Sequence, residues 1–239
     1  MENAERFDTS RMKRSHWLAH FLEGWAVFIQ NPLGKAGVGL LVLFGLMAAG
    51  SVIPPWIDPM YQPMTGVDPE IASSVGPSPT HWLGTDFMGR DIFSQLLAGA
   101  RIAFMVGVSA AFMTVVLGTA IGMTAGYMGK AVDTLLMRLA DIIMVMPTLP
   151  FVLMLAALFG QLNIWTIVLI IGLFRWPGVS RVIRSQTLSL KQRPFIEAAR
   201  VAGAGHLRII FRHIMPNVLP LSFLYMTFRV TSAITIEAA

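Results

Sequence analysis

Three groups of side chains in this 239-residue sequence have the types and spacing to do chemistry. His81, Thr85, Asp86 and Asp91 crowd into H-W-L-G-T-D-F-M-G-R-D and carry nitrogen and oxygen donors that metals accept. Their spacing matches no established ligand pattern. The same residues suit a turn-rich cap in which Arg90 pairs with a carboxylate and the glycines take special backbone angles, and this is the reading adopted. Glu197 and Arg200 stand beside Ala198, Ala199 and Gly203. An acidic and a basic contact beside a face of small residues suit docking into a groove on another protein, and a loop helix packed only on its own bundle is the alternative. Arg175 and Arg229 interrupt long apolar runs, where a charge is costly unless it faces protein, water or a partner. Arg229 is too central to reach the surface easily and is expected to face the bundle interior or a pathway. Arg175 precedes Trp176-Pro177-Gly178, a natural helix break, and is placed nearer the cytoplasmic interface. For both, an internal hydrogen-bonding role is the alternative.

Catalysis by this chain has little support. There are no cysteines, which excludes disulfides, thiolate metal sites and cysteine nucleophiles. The histidines form no H-E-x-x-H, no nucleophile motif appears, and there is no G-x-x-x-x-G-K-[ST] phosphate loop. No cofactor is expected in the chain itself.

The elements that must position these residues follow from composition. The chain is 55% hydrophobic and only 13% charged, with a mean hydropathy of +0.65. Soluble chains carry roughly a quarter of their residues as charges, so this one cannot readily cover a water-facing globule, and a bilayer removes the need. The net charge of +5 would suit nucleic acid, but the cations sit between apolar segments. Membrane anchoring explains them better, and no nucleic-acid partner is expected.

Five stretches approach the roughly 20 apolar residues that a spanning helix needs: Ala36–Ile53, Ile102–Met123, Ile142–Phe159, Ile164–Val182 and Val218–Ile236. The fold class is an all-α polytopic bundle. With the N-terminus inside, Lys35, Lys130, Arg138, Arg181, Arg184 and the later cations to Arg212 fall on the cytoplasmic side. Only Arg90 and Arg101 fall outside, as the positive-inside tendency requires. The organisation expected is a cytoplasmic segment 1–35, a first spanning region 36–57, an external segment 58–100 and a transmembrane domain 101–239 with a loop at 192–216. No secretory signal peptide is expected. Within 1–35, Leu18, Phe21, Leu22, Trp25, Phe28 and Ile29 recur at helical spacing behind basic residues, which suits a helix lying in the interface. Gly118, Gly122 and Gly126 form a small-residue stripe for close helix packing. Pro147 and Pro150 break or kink the third span, with a neighbour, water or the Thr148 hydroxyl compensating.

In the loop, Pro194 opens a short helix. Phe195, Ala198, Ala199 and Ala202 share one face, and Gly203 and Gly205 interrupt it. A second helix places Leu207, Ile210, Phe211 and Ile214 together and ends at Pro216. E-A-A, three residues, then Gly, with Pro216 thirteen positions beyond Gly203, resembles the EAA loop of ABC importer permeases. The family's branched apolar residue three positions before that proline is replaced here by His213, with Ile214 next. H-x-L-G-T-D-x-x-G-R-D, the G-A-R at Gly99–Arg101 and R-H-I-x-P-N at Arg212–Asn217 resemble the second permease subunit of dipeptide and oligopeptide importers.

The resemblance implies a type I importer fold, usually with six spans, so a chain stopping after the fifth is expected to be truncated. It also implies a homologous second permease, two ATPase subunits that bind ATP and Mg, an external substrate-binding protein, and a lipid setting in the bacterial inner membrane. Glu197, Ala198, Ala199, Arg200 and Gly203 would then form a coupling helix seated in an ATPase groove. Peptide is the implied cargo, with nickel, glutathione-like compounds and oligosaccharides carried by relatives. The rival readings are a gradient-driven carrier or channel, which would call for inverted repeats that do not stand out here, and a non-transporting scaffold.

Overall fold

A computed structural model of the chain describes residues 32–53, 58–68, 73–159 and 163–237. Regular structure among them is helical, apart from one isolated bridge between Thr85 and Asp91. In chain order come α1 (Pro32–Gly50), a 3-10 turn (Pro59–Tyr61), α2 (Ile92–Met128), α3 (Lys130–Val145), α4 (Thr148–Phe159) and α5 (Ile164–Lys191). They are followed by α6 (Pro194–Val201), α7 (His206–Ile209), a π turn (Ile210–Ile214) and α8 (Met215–Glu237). Three stretches, α2, α5 and the rod His206–Ile234, are long and apolar enough to cross a bilayer. The all-α polytopic class expected from composition is the class found. The interfacial helix expected within 1–35 lies outside the described residues.

The chain divides into two compact units, residues 1–100 and 101–239. In the first, α1 leaves Leu40, Val42, Leu43, Phe44 and Leu46 exposed, a surface suited to lipid. The eleven residues His81–Asp91 then build the start of α2. Asp91 is the helix N-cap, its carboxylate accepting from the Ser94 backbone N–H at 2.7 Å and the Ser94 hydroxyl at 2.6 Å. His81 is buried with Nδ1 3.0 Å from Asp91 and Nε2 3.1 Å from Asp68. Burial works against the imidazolium, but the hydrogen bonds and charges of the two carboxylates win and raise its pKa. Thr85 donates to the Ser73 carbonyl and accepts from the Val75 N–H. Asp86 takes hydrogen bonds from the backbone of Met88 and Arg90, from the Arg90 side chain at 2.8 Å and from Gln95. Lost hydration opposes its charge, yet these donors hold the carboxyl far below the usual range. Gly84 and Gly89 have φ of 79° and 75°, and a Cβ on Gly84 would strike the Val75 carbonyl. Arg90 therefore pairs with a carboxylate and two glycines take left-handed angles, as in the cap reading. Both ring nitrogens of His81 are already engaged by carboxylates.

The helix so capped begins ten residues before the expected span, because Asp91 supplies a start signal that hydropathy does not register. At 37 residues it is about 55 Å long.

In the second unit the glycine stripe of α2 lies directly on α5. A Cβ on Gly118 would stand 2.6 Å from the Val179 Cβ, and one on Gly126 would stand 2.8 Å from the Thr187 Cβ. Thr119 and Ser222 join α2 to α8 through their hydroxyls at 2.9 Å. A buried core of Val115, Met123, Val179, Ile183, Ile214 and Val218 fills the space between these helices.

Several expected boundaries shift. The third span is two helices rather than one: Met146 is extended (ψ 122°) before Pro147, as the residue preceding a proline prefers, and α4 restarts at Thr148. Pro150 falls in the first turn of α4, where no N–H is needed. The side chain of Thr148 lies outside the description. The fourth span does not end at Val182, nor does the helix break at Pro177. It runs on to Lys191, with Trp176 and Pro177 buried and the Ser180 hydroxyl bonded to the Pro177 carbonyl. Lys130 and Arg138 lie not in a loose connection but in the helix α3. Asp133 and Asp141 of α3 hold Arg184 and Arg181 of α5, cations that the hydropathy pattern assigned to a loop.

Candidate functional site

The segment after α5 carries the residues singled out for docking. Pro194 is the first residue of α6, where its missing N–H costs nothing. One side chain of α6, Ile196, is fully buried, in the core with Ile209, Ile210 and Ile214. Glu197, Ala198, Arg200 and Ala202 are exposed, Ala199 is half-buried, and Phe195 is exposed with the alanine face. Ile196 thus fastens the helix from beneath and leaves the small-residue face outward.

Gly203 closes α6 for a definite reason. Its N–H donates to the Arg200 carbonyl at 2.9 Å and the Ala204 N–H donates to the Ala199 carbonyl at 3.0 Å. These are the two bonds of a Schellman cap, with Gly203 at φ 78°. Nothing lies within 4 Å of a Cβ on Gly203, so the demand for glycine is conformational rather than steric.

The second helix differs from its expected form. Ile209, Ile210 and Ile214 are buried, whereas Leu207 and Phe211 point outward. Pro216 does not end it. The π turn over Ile210–Ile214, closed by the Met215 N–H on the Ile210 carbonyl, opens the backbone ladder just before the proline, and α8 continues through Pro216 and Pro220. The Asn217 side chain donates to the His213 carbonyl at 2.7 Å. This accounts for proline followed by asparagine in R-H-I-x-P-N. With Leu207 and Phe211 turned out, Phe195, Val201 (90% exposed), Leu207 and Phe211 are all exposed on this segment, as are Glu197 and Arg208.

Tyr127, which nothing in the spacing singled out, ties this surface to the bundle. Its buried ring lies at the foot of the glycine stripe, and its hydroxyl meets His206 Nδ1 at 3.0 Å. The Lys191 ammonium and the Arg200 guanidinium each lie 5.7 Å from its ring centre. Arg200 is therefore partly committed within the chain. A tyrosine one residue after the last stripe glycine was the only available signal, and that reads as core.

Arg229 and Arg175 are not brought to this surface. They lie on α8 and α5, remote in sequence from the loop, and Arg229 reaches Gly178 of α5.

Residues 118–239 match the family described as binding-protein-dependent transport system inner membrane component. The chain is 37% identical over 211 residues to a putative peptide permease of Brucella abortus, covering 88% of this chain and 68% of that protein. It is 38% identical over 208 residues to an oligopeptide transport system permease of Haemophilus influenzae, covering 85% and 65%. A dipeptide transport system permease of Bacillus subtilis is 33% identical over 224 residues, covering 92% and 67%. With membrane-length helices and a match over half its length, the chain belongs to the inner membrane components of binding-protein-dependent transport systems, and is a permease subunit rather than an enzyme.

Proposed function

We propose that the chain is one of two permeases in an ATP-driven importer of short peptides, and that α6 is its coupling helix. A second homologous permease completes the path, an external binding protein delivers the peptide, and two ATPase subunits, which hold ATP and Mg, dock from the cytoplasm. The N-terminus is cytoplasmic in this arrangement. The cargo assignment leans on the peptide and oligopeptide permeases among the relatives.

One observation carries the coupling role: an eight-residue helix fixed to the core by Ile196, with Ala198, Val201 and Ala202 left bare. Small exposed residues let a groove close around the helix, and the Ile196 anchor lets a push on it move the spans. Glu197 adds a charge at the helix start and the Gly203 cap sets where the helix ends.

The test is reconstitution with the partner subunits. Ala198→Trp and Glu197→Lys should leave a folded permease that retains less ATPase in purification and loses most ATP-driven uptake. Native ATPase retention and native uptake by both variants would reject the coupling role.

A further inference from the structure

Arg229 and Arg175 converge. A terminal guanidinium nitrogen of Arg229 lies 2.7 Å from the position a Cβ on Gly178 would take. Arg175 is one turn before Gly178 on the same helix, so it shares the face that Arg229 reaches. Both side chains are half-exposed rather than sealed in the core. Two like charges thus lie about one helical turn apart near the middle of helices α5 and α8, where neither is favourable without an anion.

Among the described residues of this unit no acid supplies that anion. Residues 101–239 contain Asp133, Asp141, Glu197 and Glu237 as their only acids. Asp133 holds Arg184 and Asp141 holds Arg181. Glu197 lies on exposed α6. Glu237 ends α8, about 12 Å along the axis from Arg229. Among the described residues no carboxylate pairs with either arginine. Aromatic rings lie on the same helices: Phe174 of α5 packs on Phe151 at 4.7 Å, and Tyr225, one turn before Arg229 on α8, lies 6.4 Å from Phe228. Pro177 also leaves the Leu173 carbonyl without its helical donor. Two neighbouring guanidinium groups with no described acid beside them suit a carboxylate that arrives from outside the unit.

We infer that Arg229 and Arg175 form a carboxylate-recognition site that receives the C-terminal carboxylate of the transported peptide. The inference rests on the peptide-importer reading above. Guanidinium groups bind carboxylates through paired hydrogen bonds, and every linear peptide carries this carboxylate whatever its side chains. One site can therefore serve a varied cargo.

The full complex, with its binding protein and ATPases in proteoliposomes, is given trialanine or trialanine amide, and each uptake rate is normalised to how far that peptide fills the binding protein. The acid-to-amide ratio is the readout, since the same binding protein serves every variant. Arg229→Gln and Arg175→Gln should lower that ratio about tenfold, and Arg229→Lys, which keeps the charge without the planar fork, should fall between. An unchanged ratio overturns the inference, whether both peptides slow together, as loss of a bridge to the second permease predicts, or neither slows. If Arg229→Gln fails to assemble with the ATPases, Arg175→Gln and Arg229→Lys decide the matter. A native complex that imports neither peptide fails the peptide reading, and this site with it.

Discussion

A Cβ placed on Gly122 would stand 2.5 Å from the carbonyl oxygen of Ser180, so α2 and α5 meet here backbone to backbone. No side chain fits between them. Gly122→Ala should therefore destabilise the bundle by about 1–3 kcal/mol through overpacking. Gly99 is the control, because nothing lies within 4 Å of its Cβ position. Gly99→Ala should be neutral or stabilise by up to about 1 kcal/mol through helix propensity. Thermal unfolding in detergent separates the two, and equal midpoints would mean the close approach is absent.

Gly203 makes the opposite kind of demand, for backbone angle rather than space. Gly203→Ala should cost about 1–2 kcal/mol, the usual penalty of a left-handed residue with a Cβ, while Gly203→Asn should cost less because asparagine tolerates that region. Hydrogen exchange of the Gly203 and Ala204 amides reports the cap directly. Faster exchange in the alanine variant than in the asparagine one is expected, and indistinguishable rates would count against the Schellman cap.

The buried His81 makes the cap sensitive to pH in a definite direction. Its pKa is raised above the ordinary 6.5 by Asp68 and Asp91 despite burial. A raised folded value means that the imidazolium stabilises the fold fully below about 6.5, the unfolded value. The stabilisation fades as pH climbs through the folded value. Unfolding midpoints should fall on the alkaline side of that window and fall less in His81→Asn. A midpoint that rises with pH in the native protein would contradict this.

Asp133 and Arg184 clamp α3 to α5 through a two-pronged, partly exposed pair. Asp133→Asn should cost about 1–3 kcal/mol, in the range of hydrogen bonds to charged groups. The exchanged pair Asp133→Arg with Arg184→Asp should recover part of it. The double-mutant cycle in detergent measures the coupling, and a coupling near zero would mean that apolar contacts alone dock α3.

Much of this architecture is legible in residue order because its causes are local or periodic. Glycines every four residues announce a close helix contact, although not the partner. The run His81–Asp91 contains its own turn formers and its own N-cap, so its purpose as a cap can be read without a fold. The segment Pro194–Val201 is legible as a short helix stopped by Gly203. Its orientation is less so: the alanine face drew attention, whereas Ile196 is what the bundle buries. Helix limits misled for a similar reason. Hydropathy follows lipid contact, but α2 starts in the polar cap and α5 runs on past Val182, where Asp133 and Asp141 neutralise its arginines.

Composition and spacing by themselves determined a membrane bundle, its glycine seam, its turn-rich cap and a surface helix ending at a glycine, since each depends on solvent preference or on backbone rules within a few residues. Tertiary structure alone decided that Tyr127 would join His206, that a π turn would carry the helix past Pro216, and that Arg229 would reach Gly178 beside Arg175. Those outcomes depend on which turns of distant helices come to lie at the same height, and no local pattern encodes that register.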